Sequence, residues 1–289
     1  MTDVGRKGKV ALITGASSGL GAAIAIEAAR RGFALALSAR RGERLEAVAA
    51  QARSLGVVAA CFAEDLADPA APERLAIAVQ ERFERLDILV NNAGMGVFDL
   101  FDDAEPDELR RQIQVNFAAP LLLARACSPM LVANRGVIVN IGSAIAQIAN
   151  PGLGAYGATK AGLAYWNDAA RREYKRKNVS VCLVELGPTR TEFFDRHMNQ
   201  KRPGYHPFID RPFDFMMASA DRVARRVVDL FDRPRRRIGP PVRIVEPMRW
   251  VGTLFDAFPI WGDVLIDQML RWQDRQKQAR KRDDVEANC

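Results

Sequence analysis

Histidine is almost missing from this 289-residue chain: His197 and His206 are the only two, and neither has the spacing of a metal-ligand pair. Zinc sites draw on clustered His and Cys, so no metal is expected. Cysteine is nearly as scarce. Cys61, Cys127, Cys182 and Cys289 are dispersed, no Cys-x-x-Cys occurs, and the first three lie in apolar runs. This excludes a disulfide framework and suits buried free thiols in a reducing cytoplasm. Long apolar runs are missing too, and the short polar start at residues 1–9 shows no secretory signal, so no bilayer span is expected. Repeats, low-complexity tracts and linkers are lacking. One domain over residues 1–246 is expected, with a helical C-terminal extension over 247–289. Acidic residues number 35 against 42 Lys and Arg, a formal charge of +7. That sign permits nucleic-acid or anionic-membrane contact. The arginine clusters at 171–177 and 233–237 lack an aromatic platform or a nucleic-acid motif, so they read as solvated surface and no nucleic-acid partner is expected.

What is present is a regular alternation. Apolar strand-like runs at residues 9–14, 33–38, 57–62, 87–90, 136–141, 179–185 and 242–245 alternate with helical patterns, among them one long helix at 106–130. Such alternation predicts an α/β fold: a doubly wound parallel sheet of about seven strands with helices on both faces. The first run leads into Gly15, Ala16, Ser17, Ser18, Gly19, Leu20 and Gly21, and then a helix. Strand, glycine turn and helix N-terminus together make an anion site suited to a dinucleotide pyrophosphate. After the second strand, where NAD-binding folds place an acid for the ribose 2′-hydroxyl, stand Arg40 and Arg41. A guanidinium matches a 2′-phosphate, so NADP(H) is favoured over NAD(H).

The chemistry concentrates at residues 138–163. Ser143 follows an apolar strand, at the end where open α/β sheets bind ligands. Thirteen residues on, Tyr156 and Lys160 stand four apart on a predicted helix and therefore share a face. A nearby ammonium is expected to pull the phenol below its ordinary value of about 10. Ser143 would then orient a carbonyl oxygen while Tyr156 gives or takes a proton. Asn116, inside the long helix, needs hydrogen-bond partners if buried and reads as polar support for this site. Residues 192–218 mix aromatics with Pro and Gly, as a substrate lid would. In the tail, Trp261, Leu265, Met269 and Trp272 form an apolar stripe beside basic residues, read as packing or, alternatively, peripheral membrane contact through 248–282.

Together these motifs, in this order over residues 9–245, resemble the short-chain dehydrogenase/reductase family with its Rossmann-type fold. Residues 14–21 match its Thr-Gly-x-x-x-Gly-x-Gly cofactor turn. The resemblance implies that Asp65, followed by Leu66, contacts the adenine, and that Asn92, Ala93 and Gly94 (with Asn91) support the sheet and the cofactor ribose. It further implies a tetrad of Asn116, Ser143, Tyr156 and Lys160, and a nicotinamide loop with Gly187, Thr189 and Thr191. Two positions depart from the family pattern: Leu186 stands before Gly187 where Pro is usual, and Ser18 where NADP-preferring relatives often carry a basic residue. The 2′-phosphate would then rest mainly on Arg40, helped by Arg41 and Ser17. The implied activity is carbonyl–alcohol interconversion on a hydrophobic substrate, a lipid, steroid or bulky ketone. In it Tyr156 is the acid, Lys160 holds the ribose, Ser143 binds the carbonyl oxygen and Asn116 positions a relay water. A homodimer or homotetramer is implied as well. The alternatives are an NAD-dependent alcohol dehydrogenase of the same fold and a non-catalytic dinucleotide-binding sensor or scaffold.

Overall fold

The structure, a computed structural model, describes residues 8–147, 149, 151–187, 189–190 and 218–239. Seven strands form one sheet: β1 (Val10–Thr14), β2 (Ala34–Ser38), β3 (Ala59–Phe62), β4 (Ile88–Asn91), β5 (Val137–Ser143), β6 (Ser180–Leu186) and β9 (Arg237–Ile238). Their order is β3-β2-β1-β4-β5-β6-β9, and every pairing is parallel. Two-residue strands β7 (Thr189–Arg190) and β8 (Ala218–Ser219) pair separately. This is the expected doubly wound sheet. Its seventh strand among the described residues ends the basic run; the strand expected at 242–245 lies outside the described residues.

Alternation along the strands explains the layering. In β1, Ala11 and Ile13 face a core shared with helices α1 (Gly19–Arg30), α2 (Gly42–Ser54) and α7 (Ala220–Asp232). Val10 and Leu12 face the opposite core, shared with α3 (Ala71–Phe83), α5 (Ala119–Ala133) and α6 (Gly154–Lys175). Both faces are covered, so the central strands are apolar throughout rather than alternating. Truncating a fully buried leucine such as Leu12 would cost about 2–5 kcal/mol. Phe33 and Phe231 close one layer edge to face at 5.3 Å.

The expected single helix over 106–130 is instead three pieces. Helix α4 (Pro106–Ile113) runs into a π turn (Gln114–Ala118) and then α5. A π turn breaks the i to i−4 ladder and often marks a functional position; Asn116 lies within it. The stretch Pro106–Ala133 is also long and apolar enough to cross a membrane by length and composition. Here it is a core element: Leu123, Cys127 and Leu131 are fully buried against the sheet.

A polar chain runs beneath this layer. Asn91 Nδ2 donates to Asn140 Oδ1 at 2.8 Å, and Asn140 Nδ2 donates to Asn167 Oδ1 at 2.9 Å. All three are buried, and they link β4, β5 and α6.

Candidate active site

The glycine turn follows from Thr14 at the carboxyl end of β1. Its hydroxyl donates to the Val90 carbonyl at 3.2 Å and accepts from the amides of Asn92 and Ala93, each at 3.0 Å. Asn92 Nδ2 returns a bond to the Thr14 carbonyl at 2.9 Å. These bonds fix the β4 loop against the turn. Gly15 and Gly19 have φ of +66° and +55°, which side-chain-bearing residues rarely adopt. At Gly21 a Cβ would overlap the Gly15 carbonyl and lie 2.6 Å from Asn92 Nδ2. Helix α1 therefore starts hard against the turn, aiming its free N–H groups at whatever anion sits there. Gly21→Ala is expected to cost about 1–3 kcal/mol through overpacking. It should also weaken NADPH binding, as thermal melts and cofactor titration would measure.

Arg41 Nη2 donates to Ser18 Oγ at 2.7 Å and to Ser17 Oγ at 3.2 Å, bridging the second strand's end to the glycine turn. Arg40 is exposed. Of the two arginines expected at the 2′-phosphate, Arg41, which stands just before α2, is the one bonded to the turn's serines. Ser18 takes part directly, so the serine that replaces a basic residue has a role of its own. Asp65 Oδ1 accepts from the Ala67 amide at 3.0 Å, and Arg111 Nη2 donates to its Oδ2 at 2.9 Å. Leu66 is buried beside it.

Ser143 is the last residue of β5, opposite Leu186 of β6. The Ser143 and Tyr156 hydroxyls are hydrogen-bonded. Lys160 is buried, its Nζ donating to the Ile141 carbonyl at 3.0 Å and lying 5.9 Å from the centre of the Tyr156 ring. A Cβ on Gly94 would sit 3.4 Å from Asn116 Oδ1 and 3.7 Å from Lys160 Nζ, so this glycine brings backbone close to both. Asn116 Oδ1 accepts from the Met95 amide at 2.8 Å, while its Nδ2 donates to the Met95 carbonyl at 2.7 Å and to Thr159 Oγ1 at 3.3 Å. Its amide clamps the loop after β4. The side chain expected to position a relay water therefore also holds this loop.

The electrostatics differ from expectation. Burial pushes the Tyr156 phenol up to about 12, with the Ser143 hydrogen bond pulling the other way. Burial also pushes the Lys160 ammonium down to about 8. Desolvation outweighs the attraction that sequence spacing suggests, because Lys160 is buried and the half-buried Tyr156 lies beside it. At neutral pH the pair is therefore a protonated phenol beside a buried cation, a proton donor rather than a phenolate.

The structure thus gathers Gly15 to Gly21, Arg41, Asn92 to Gly94, Asn116, Ser143, Tyr156 and Lys160 at the carboxyl ends of β1, β4 and β5. Thr189 Oγ1 donates to the Gly187 carbonyl at 3.0 Å beyond β6. Thr191, the extension over 247–289 and the lid over 192–218 (save Ala218) lie outside the described residues. Sequence reasoning missed Arg111 as partner of Asp65, and Phe98, whose ring meets Tyr156 edge to face at 5.4 Å. The only signal for Phe98 was a large apolar residue soon after Gly94 and Gly96.

A family model described as short chain dehydrogenase matches residues 9–202. YbbO, an uncharacterised oxidoreductase of Escherichia coli, is 32% identical over 246 residues, covering 82% of this chain and 86% of that one. The 11-beta-hydroxysteroid dehydrogenase 1A of Arabidopsis thaliana is 41% identical over 188 residues, which cover 64% of this chain and 53% of that relative. A solved short-chain dehydrogenase from Sphingobium yanoikuyae in complex with NADPH is 33% identical, covers 88% of this chain and 96% of its own, and superposes with a TM-score of 0.73.

Proposed function

Because the chain belongs to the short-chain dehydrogenase family, an NAD(P)-dependent oxidoreductase acting on CH–OH and C=O groups, we propose that it is an NADPH-dependent reductase of hydrophobic ketones. Tyr156 is its acid. The observation that carries this reading is the group of Ser143, Tyr156 and buried Lys160, with the phenol held protonated at neutral pH.

The residues present fit the cofactor. Gly15 and Gly21 let the turn close against Asn92, Ala93 and itself, which sets the start of α1 at the sheet end, and Arg41 with Ser17 and Ser18 forms a donor set for a 2′-phosphate. When bound, NADPH supplies the hydride. The amide groups at the start of α1 hold the pyrophosphate. Ser143 Oγ donates to the carbonyl oxygen of the substrate and keeps it facing Tyr156. Tyr156 Oη then gives that oxygen its proton, and transfer from a phenol to a more basic alkoxide runs downhill. Lys160 keeps a positive charge beside the phenol during this step, and Asn116, through Met95, holds the wall of the site in place. Apolar Phe98 beside Tyr156 supports a hydrophobic substrate, as does the likeness to a relative named as a hydroxysteroid dehydrogenase. A panel of ketones and aldehydes screened for NADPH oxidation, with Tyr156→Phe as the blank, tests the reading; absence of Tyr156-dependent turnover across the panel would sink it.

Cofactor choice has its own expected result. Arg41→Ala should raise the Kd for NADPH by about 10-fold or more, the value of a charge-assisted contact of about 1.5–3 kcal/mol. The Kd for NADH should stay within about twofold, since only NADPH carries the phosphate. Arg40→Ala, removing an exposed side chain, should change less. Equal affinity of the wild type for the two dinucleotides would overturn the NADPH preference.

A further inference from the structure

The structure assigns a further role: Phe98 is the specificity-determining wall of the carbonyl site, and Gln112 is the positioning residue that sets it against Tyr156. The inference rests on Tyr156 as the reacting acid and says what limits the substrate there.

Three contacts carry it. The ring of Phe98 meets that of Tyr156 at a centroid distance of 5.4 Å and an interplanar angle of 88°, so any ketone presenting its oxygen to Tyr156 passes beside this ring. The loop bearing Phe98 has no regular structure, yet two side-chain amides hold its backbone. Asn116 binds the Met95 amide and carbonyl, and Gln112 Oε1 accepts from the Val97 amide at 2.5 Å. The two held amides are two residues apart, and the two holding side chains stand four apart across the junction of α4 and the π turn. Phe98 follows directly on the second held residue, so its backbone starts from a fixed point.

Gln112 is unusual for its position. It is fully buried, and its Nε2 has no partner among the described residues. A buried donor left unpaired is costly, and an apolar residue of similar size would fill the space without that cost. The contact made by its other amide atom explains why a glutamine stands there: it restrains Val97, and with it Phe98.

Removing the ring should open room for wide ketones and withdraw apolar contact from narrow ones, so both effects move one ratio the same way. The test compares 2-decalone with cyclohexanone. Wild type, Phe98→Ala, Phe98→Leu and Gln112→Met are measured for NADPH-dependent kcat/KM and, independently of turnover, for ketone Kd by calorimetry on the NADP⁺-loaded protein. Phe98→Ala should shift the decalone-to-cyclohexanone ratio upward by about 10-fold or more, since even one methylene of pocket fit is worth about 10-fold. Phe98→Leu should shift it less, and Gln112→Met should shift it in the same direction with an unchanged Kd for NADPH, which general loosening of the fold would not give. Should Phe98→Ala fail to fold, Phe98→Leu and Gln112→Met decide. A ratio unmoved in kcat/KM and in Kd overturns the inference while leaving the role of Tyr156 intact. Ketone binding whose ratio shifts as expected, without wild-type turnover, supports Phe98 as the wall and overturns the reductase reading instead.

Discussion

Tyr156→Phe should lower the turnover of carbonyl reduction by about 10²–10⁴-fold, the range that a positioned general acid supplies. The substitution deletes one oxygen and keeps the ring, so the edge-to-face contact with Phe98 survives and the fold is undisturbed. Affinity for NADPH should change little beside the loss of turnover. The pH dependence is the sharper signature. With the phenol pushed up to about 12 and the ammonium down to about 8, both groups keep their protons below pH 7, so reduction should be flat from about pH 5 to 7 and fall above that as Lys160 loses its charge. Oxidation of the matching alcohol needs the phenolate and should climb with pH over the same interval. Steady-state rates in both directions would check this; undiminished turnover in the phenylalanine variant, or oxidation that ignores pH, removes Tyr156 from its place in the reaction.

The second large effect joins stability to activity. Lys160 is buried, and its ammonium is pushed down to about 8 from an ordinary 10.5. At pH 7 the protein therefore folds with a cation it would hold more comfortably when unfolded. Lys160→Met removes that charge and should stabilise the chain at pH 7 by up to about 3 kcal/mol, given about 1.4 kcal/mol per pH unit of displacement. Loss of the bond to the Ile141 carbonyl subtracts from this gain. Turnover should fall by about 10²-fold or more, since a preorganised charge beside the reacting group is gone. The sign can be read across pH. Between 8 and 10.5 the unfolded chain binds more protons at this lysine than the folded one, so wild-type stability should rise through that window. The methionine variant should lack the rise. Above pH 10 the raised phenol acts oppositely, the folded state holding its proton longer, and stability should fall. Denaturant titrations from pH 7 to 11 on both proteins measure each limb; a variant no more stable than wild type at pH 7 would contradict the burial cost.

The elements legible in the sequence are those set by local pattern. Strand β1 running into its glycine turn, Ser143 ending a strand, and Tyr156 with Lys160 one helical turn on are all fixed by neighbours in the chain, and the structure puts each where its spacing indicates. What could not be read depends on contacts between distant residues. The π turn at Asn116 coincides with a side chain bound to Met95, 21 residues away. The raised phenol and lowered ammonium come from burial among several elements at once, which spacing along one helix does not encode. Arg41, which stands just before α2, is the arginine bonded to the serines, a matter of one residue at a boundary. Strand β9 is two residues long in a run of arginines, with no apolar alternation to announce it; its pairing with Leu183 and Val184 makes it a strand.

The buried asparagines 91, 140 and 167 bear on how the sheet finds its alignment. Strands composed of Val, Ile and Leu are nearly interchangeable with themselves after a slip of two places, so apolar packing alone discriminates weakly between the right pairing and a shifted one. Two hydrogen bonds that form only when Asn91 sits level with Asn140 penalise a misaligned sheet by about 1–3 kcal/mol for each amide stranded. They act as dowels between planks, and what they keep level is the far end of β4 and β5, the ground on which Gly94 and Ser143 stand.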